Sequence, residues 1–577
     1  MVPPKVFALT KIKSFLPVLI TLILTAYQLW RIIAFVNVYG GFEHDGGWTL
    51  GAARSLVERG EYTYMVSVIA DPSVPAAINV DKKFDIQAPD GRIWFRTSAS
   101  IGPASVVPEA IVLKIFGFSF WALRVGPLLF YTLFLLLAAY TVYQLAGLGA
   151  VVLFHAFLFF YPHLSIFLSY EALGEVPSMV YQLCAFLAFA TVLKKQDHRW
   201  LHFLGVGLIA GLAANAKLLT LLSISGIFAW AGYLWLFERK RVRFGELLSL
   251  GGGVALVGIG WELVQLIVLT WLTNFEVYLQ HGQQRWFGFL DEGSGLRLRT
   301  ESGPEFMWRK FLVLKEITHS QPEIIVLVVV GIFLGGLALL GLWREREKRN
   351  LLVPIWLGWL AHTAWFVSLA KTGWARHYWF GLILAVILLC IIPLTLLRAD
   401  GLTVSLRFGR TARLVSLGVG LLLLALIGWG FACQPYVRSF FLPDEIVAYW
   451  QQKRVNNNYQ ATLPSLIVPR SAQTAVVEHI KKMPPEANVY YPFAHKAAEL
   501  PVQTGRINYP LDRRGRADLA PHPADILVFQ PFLVSAWTHD PTMRQDLLGQ
   551  IEQVCPHPII KNDYYIVCLV EELRPRP

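Results

Sequence analysis

The first feature able to do chemistry is an acidic residue set between glycines. Gly40-Gly41-Phe42-Glu43-His44-Asp45-Gly46-Gly47-Trp48 follows directly on an apolar run. Glycines on either side let a carboxylate approach a surface or a ligand without side-chain crowding. As a functional residue, Asp45 would be held close to the lipid headgroups at the membrane surface. As a structural residue, it would cap the helix that begins near Gly47 and satisfy its free amides. Both readings stand on these residues.

A second acidic pair lies in Tyr170-Glu171-Ala172-Leu173-Gly174-Glu175. An acid of this loop and an acid of the first loop, together with a lipid phosphate, can hold a hard divalent cation through oxygen. Glu175 can also sit at a helix N-terminus, where the dipole favours an anion. Three sets of cations interrupt apolar sequence: Arg124, Lys217, and Arg376 with His377 beside Trp374, Tyr378 and Trp379. Arginine forks onto phosphate oxygens, and flat aromatic faces suit sugar rings. The structural alternatives are a Lys217 that snorkels to the interface and an interfacial aromatic belt. Glu262, inside an apolar run, needs a cavity, a partner or water, and Arg31 is expected to snorkel. There is no zinc-spaced His/Cys cluster and no nucleic-acid motif.

The elements that must position these residues are membrane helices. The chain has 577 residues, 55% hydrophobic and 16% charged, with mean hydropathy +0.48. Soluble domains carry roughly 25% charged residues, so an ordinary cytosolic enzyme is excluded. The net charge of +12 suits basic loops and phosphate-bearing lipids rather than nucleic acid. Apolar runs long enough to span are expected at Phe15–Val36, 121–145, 148–167 and 175–193, with two more between Arg199 and Arg239. Others follow at Leu247–Leu272, Glu323–Trp343, Leu351–Ala370, Tyr378–Leu397 and Leu414–Cys433. Basic clusters at Lys194-Lys195, Arg239–Arg243, Arg344–Arg349 and Arg398–Arg413 are separated by even numbers of spans. By the positive-inside rule, the N-terminus is cytoplasmic and about eleven spans leave the C-terminus outside. Lys217, midway between two basic clusters, then falls on the same face as Asp45.

Three outer regions result: a first loop, 37–120, a second long loop, 273–322, and a soluble tail from 434. The transmembrane module is 1–433 and the outer domain 434–577. In that domain, 472–483 and 544–554 read as helices and 488–493, 524–530 and 564–570 as strands, which argues a small α/β fold. Cys184, Cys390 and Cys433 read as inert packing residues. A tight turn at Lys561-Asn562 would set Cys555 opposite Cys568 and permit a disulfide in an oxidising compartment.

The acid after the first span and the following Arg54-x-Leu56-x-x-x-Gly60-x-Tyr62 resemble the opening of GT-C glycosyltransferases. That group includes the protein O-mannosyltransferases, the aminoarabinose transferase and the bacterial Rgt-like transferases. Four further pieces resemble the family in order: Gly102-Pro103 through Gly117, Ala122-Leu123-Arg124, Gly211-Leu212-Ala213 through Lys217, and Arg376-His377-Tyr378. The resemblance covers about 400 residues and implies the GT-C fold. It also implies a polyprenyl-phosphate-linked sugar donor, a lipid, glycan or protein hydroxyl acceptor, and work at the outer face of the plasma membrane. It makes Asp45 the catalytic base and Glu171 or Glu175 the second acid, which positions the acceptor or binds a divalent metal. Lys217, Arg124, Arg376 and His377 would then hold the donor phosphate, and Trp374 and Tyr378 would stack on the sugar. One departure is that many relatives carry Asp-Glu where this chain has Asp45-Gly46, which leaves Glu43 and His44 as substitutes for the base or as metal ligands. The competing classes are a lipid or sugar transporter and a non-catalytic assembly subunit. A transporter would favour paired broken helices in two matching halves, and the sequence has none.

Overall fold

The computed structural model describes residues 4–39, 41–42, 45–65, 86–88, 90–95, 101–160, 166–196, 198–239, 241–294, 346–370, 375–399, 467–491, 499–510, 522–531 and 551–570, with isolated positions between them. Helix α1 (Pro4–Tyr39) leads into strand β1 (Gly41–Phe42) and helix α2 (Asp45–Arg59). Strands β2 (Thr63–Tyr64), β3 (Ile86–Gln87) and β4 (Ile93–Trp94) form a small antiparallel sheet in the order β2-β4-β3. The bundle follows with α3 (Pro103–Phe116), α4 (Ala122–Ala146), α5 (Leu148–Phe160), α6 (Ile166–Tyr170) and α7 (Glu175–Lys195). It continues with α8 (Trp200–Ala216), α9 (Thr220–Phe237), α10 (Phe244–Leu272), α11 (Phe275–Ser294), α12 (Arg346–Ser368) and α13 (Ala375–Ala399).

Helices α8, α9 and α10 are apolar around their whole circumference, the pattern of segments that face lipid or other helices on every side. Exposed Leu256, Ile259, Ile267 and Trp271 line α10, while its Gly253 lies against the Leu204 carbonyl of α8, where a Cβ would collide. Such close backbone approach is how membrane helices gain packing contact. Among the described residues, six helices are long and apolar enough to cross a membrane: the Leu16–Tyr39 part of α1, α4, α7, α9, α10 and α12. Three shorter apolar helices lie at Leu148–Phe159, Trp200–Ala216 and His377–Ile392. The chain is a multi-pass helical membrane protein. Within the span expected at 148–167, the described residues form α5, with 13 residues, about 20 Å, and the start of α6. The spans expected at 323–343 and 414–433 lie largely outside the described residues.

The C-terminal unit contains β5 (Ile467–Val468), α14 (Arg470–Lys482), β6 (Val489–Tyr491), α15 (Leu500–Thr504), β7 (Asn508–Pro510), β8 (Ile526–Phe529), β9 (Ile560–Lys561) and β10 (Ile566–Leu569). Its mixed sheet has the order β7-β6-β8-β10-β9, with β6 parallel to β7 and β8 and β10 antiparallel to both its neighbours. The strands expected at 488–493, 524–530 and 564–570 are the three central ones. The boundary expected at 434 lies outside the described residues. Cys555 and Cys568 share one buried cluster with Ile551 and Leu527 but form no disulfide. Cys568 pairs with Leu527 on β8, whereas Cys555 ends a helix, its N–H donating to the Ile551 carbonyl at 2.9 Å. The turn therefore does not set the two cysteines opposite each other.

This unit is fastened to the first loop. Strand β5 pairs with β1, Val468 opposite Gly41. Arg470 donates to Asn37 Oδ1 at 2.9 Å and lies over the Phe120 ring. Arg54 of α2 donates to the Val502 carbonyl at 2.5 Å, and Gly505, at φ +80, ends α15 where a side chain would strike that guanidinium.

Candidate active site

Helix α2 begins at Asp45 itself, so the Asp45 backbone opens the helix; its side chain lies outside the description. The Gly46 amide donates to Glu171 Oε1 at 2.9 Å. Glu171 is buried and belongs to the turn between α6 and α7. A carboxylate at the first amides of a helix is held by hydrogen bonding and by the helix dipole together. A Cβ on Gly46 would lie 2.5 Å from Glu171 Cγ and 3.2 Å from the Ala172 nitrogen. Glycine at 46, the departure from Asp-Glu, is therefore what lets the head of α2 seat on Glu171.

Four residues further on, fully buried Glu175 opens α7 and faces Lys217, whose Nζ is 3.1 Å from Glu175 Oε1. Lys217 stands where α8 has ended, its backbone extended at φ −153, ψ 113, before α9 starts. The helices break there, as the midpoint between two basic clusters implies. Asn215 beside it accepts from Gly102 N–H through its carbonyl and from Ala104 N–H through Oδ1, both at 2.9 Å. The starts of α3 and α7 thus converge on the α8–α9 break.

Above this layer lies a buried ion pair. Arg124, at the start of α4, donates through both terminal nitrogens to Glu499 of the C-terminal unit, at 2.5 and 2.7 Å, with both side chains fully buried. Gln473 donates to Glu499 Oε2 at 2.8 Å, and Gln503 to Gln473 at 3.0 Å. Phe120 and Tyr170 carry the guanidinium on their rings, at 5.0 and 5.8 Å. Arg124, expected at a donor phosphate, has its fork filled by Glu499. Beside it, Glu109 of α3 lies over Gly126 of α4, which leaves no room for a Cβ there, and its Oε2 has no hydrogen-bond partner. Burial pushes its carboxyl up to about 8, against the pull of Arg124.

The other expected groups are distributed differently. Tyr378 is buried, hydrogen-bonded to Thr363 at 2.7 Å and stacked on Phe366 at 4.7 Å, so it packs the bundle rather than offering a sugar platform. His377 is half-buried, and its carbonyl accepts from His362 Nε2 at 2.9 Å. Arg376 lies in α13 with its side chain outside the description, as are Glu43, His44 and Trp374 entirely. Arg31 does not snorkel: it is buried, donates to the Phe159 carbonyl at 3.3 Å and lies 4.2 Å from that ring. Glu262 has its partner in Arg285 of α11, at 2.5 and 2.6 Å. Among the described residues, no three His, Cys, Asp or Glu side chains are grouped to hold a metal ion.

No family model and no curated protein matches the sequence. In three dimensions the chain aligns with the crystal structure of ArnT from Cupriavidus metallidurans bound to undecaprenyl phosphate, at TM-score 0.52 and 14% identity over 98% of this chain and 99% of that one. ArnT in the apo state aligns equally, at TM-score 0.52 and 14% identity over 98% and 100%. The chain has the fold of ArnT.

Within this fold, sequence reading passed over Glu109, Glu499, Gln473 and Gln503. Glu109 carried a readable signal, being the only acid in the apolar stretch Pro103–Phe116. Glu499 carried none, since it meets Arg124 from 375 residues away.

Proposed function

We propose that the protein is a glycosyltransferase, moving one sugar from a polyprenyl phosphate donor to a hydroxyl acceptor with inversion. The observation that carries this reading is the seating of the α2 head on buried Glu171, next to the Glu175–Lys217 pair. An acid is thereby presented at the polar end of a bundle with the fold of ArnT, a protein that binds undecaprenyl phosphate. Asp45 takes the proton of the acceptor hydroxyl. The acceptor oxygen forms the new bond to the anomeric carbon, and the bond from that carbon to the donor phosphate breaks. Polyprenyl phosphate leaves with the electron pair, and its growing negative charge needs cations. Lys217 and Arg376 are the candidates, with Lys217 shared between Glu175 and the phosphate.

This end faces outward in the proposal. Lys194, Arg241 and Arg349, from three of the basic clusters, gather at the opposite end, where they pair with Glu347 and Glu238, and positive charge marks the cytoplasmic side. Glu171 is engaged by an amide and Glu175 by Lys217, so these two do not present a common metal site, and no step runs through a metal. The acceptor class stays open among lipid, glycan and protein.

The test is turnover by the purified full chain on a panel of radiolabelled polyprenyl-phosphate sugars, with release of polyprenyl phosphate as the readout. Release that is lost in folded Asp45→Asn supports the reading. Release that survives in Asp45→Asn moves the base to Glu43, His44 or Glu171. A chain that neither binds nor turns over any donor sinks the proposal.

A further inference from the structure

Glu499 belongs to the C-terminal unit, yet its carboxylate is spent on Arg124 in the membrane bundle. An unpaired guanidinium in that position would be severely destabilising, and the nearest other acid groups decide where it would turn. Tyr170, Glu171 and Glu109 lie within electrostatic reach of Arg124, Glu109 with its carboxyl pushed up by burial, and Tyr170 is the residue just before Glu171. Glu171, in turn, is the acceptor that seats Gly46 and hence the Asp45 backbone. A continuous path of contacts therefore runs from the C-terminal unit to the head of α2. We infer that Glu499 is a positioning residue: by saturating Arg124 with a two-pronged ion pair, it leaves Glu171 to hold the head of α2, and so Asp45, in place.

Gln473 and Gln503 brace this arrangement, because the first donates to Glu499 and the second to the first. The C-terminal unit is on this view a working part of the site, delivered by the β1–β5 pairing and α15. This inference rests on the proposed glycosyltransferase reading only for its kinetic arm. Glu499→Gln frees Arg124 to draw Glu171 away from Gly46. The neutral pair Arg124→Gln with Glu499→Gln removes that pull and also avoids a buried uncompensated charge. Glu499→Asp keeps the charge and serves as the conservative comparison. Glu552→Ala, at an exposed ion pair elsewhere in the same unit, is the control.

Two readouts are taken on folded, detergent-purified full-length protein: sugar transfer with donor affinity, and hydrogen exchange of the α2 head, residues 45–50. Glu499→Gln lowers kcat roughly 10- to 100-fold with donor affinity unchanged, and exchange at Gly46 speeds up. The double neutral variant recovers to within roughly threefold of the parent kcat and regains slow exchange. Glu552→Ala changes neither. Parent-like kcat and exchange in Glu499→Gln overturn the inference, as does a double variant no better than the single one. If the parent transfers no sugar but exchange at Gly46 still rises in the single variant and falls in the double, the positioning role stands and the glycosyltransferase reading fails.

Discussion

The two polar ends of the helix bundle solve the same problem in opposite ways. At one end, Lys194 pairs with Glu347 at 2.7 Å with side chains 59% and 66% exposed, and Arg241 and Arg349 share Glu238 nearby. The Lys194 pair forms and breaks in water and contributes little; Arg241 and Arg349 are mostly buried, and Glu238 between them is part-exposed. At the other end, Arg124–Glu499 and Lys217–Glu175 are sealed from solvent, with Glu171 and Glu109 buried beside them. Burying charge carries a desolvation penalty that apolar packing would avoid. Ion pairs that only joined the C-terminal unit to the bundle would need none of this. The difference locates where the fold sets charge for use rather than for solubility, and that end is also the one that carries Asp45.

Breaking one partner at each end makes the contrast measurable. Lys217→Met strands Glu175 without its cation, and thermal unfolding in detergent should show a loss of about 3–5 kcal/mol. Glu347→Ala at the exposed end should cost about 0–1 kcal/mol. Equal small losses would erase the distinction. Gly46→Ala drives a methyl into Glu171 and should destabilise by about 1–3 kcal/mol, with the larger effect on kcat because the α2 head must lift. A variant with full activity and stability would remove the seating from the account.

The pH response sharpens the same contrast. The Glu109 carboxyl is raised from its ordinary 4.5 to about 8 by burial, so the folded protein holds a proton that the unfolded chain has released. Its contribution is complete below pH 4.5 and is lost as pH rises through about 8. The melting temperature of the parent should therefore fall relative to Glu109→Gln between pH 5 and 9, and the two curves should run parallel above that window. Parallel curves throughout would show that Glu109 titrates normally. The smallest effect belongs to Lys194→Ala, within about 0.5 kcal/mol of the parent by the same melting assay.

Much of this was legible in the sequence, for reasons that differ by residue. Membrane helices declare themselves by length and composition, and Lys217 could be set at a helix break because basic clusters flank it evenly. Glu262 was rightly expected to need a partner, since an intramembrane acid cannot face lipid. Arg124 was read toward phosphate because its type suits phosphate and carboxylate alike, and only the fold brings Glu499 to it. Tyr378 is a related case: an aromatic next to basic residues reads as a ligand platform, and the fold sets it against Phe366 and Thr363. Gly46 was seen as a departure from a motif, and its cause, the Glu171 carboxylate beneath it, lies 125 residues away.

The central claim is that the end with buried charge is the catalytic end. Single-turnover sugar transfer from a polyprenyl-phosphate donor, by purified parent, Asp45→Asn and Lys194→Ala proteins of equal folded content, tests it most directly. The account predicts transfer by the parent and by Lys194→Ala at closely similar rates, and a loss of at least roughly 100-fold in Asp45→Asn. A loss confined to Lys194→Ala, with Asp45→Asn at the parent rate, would contradict it.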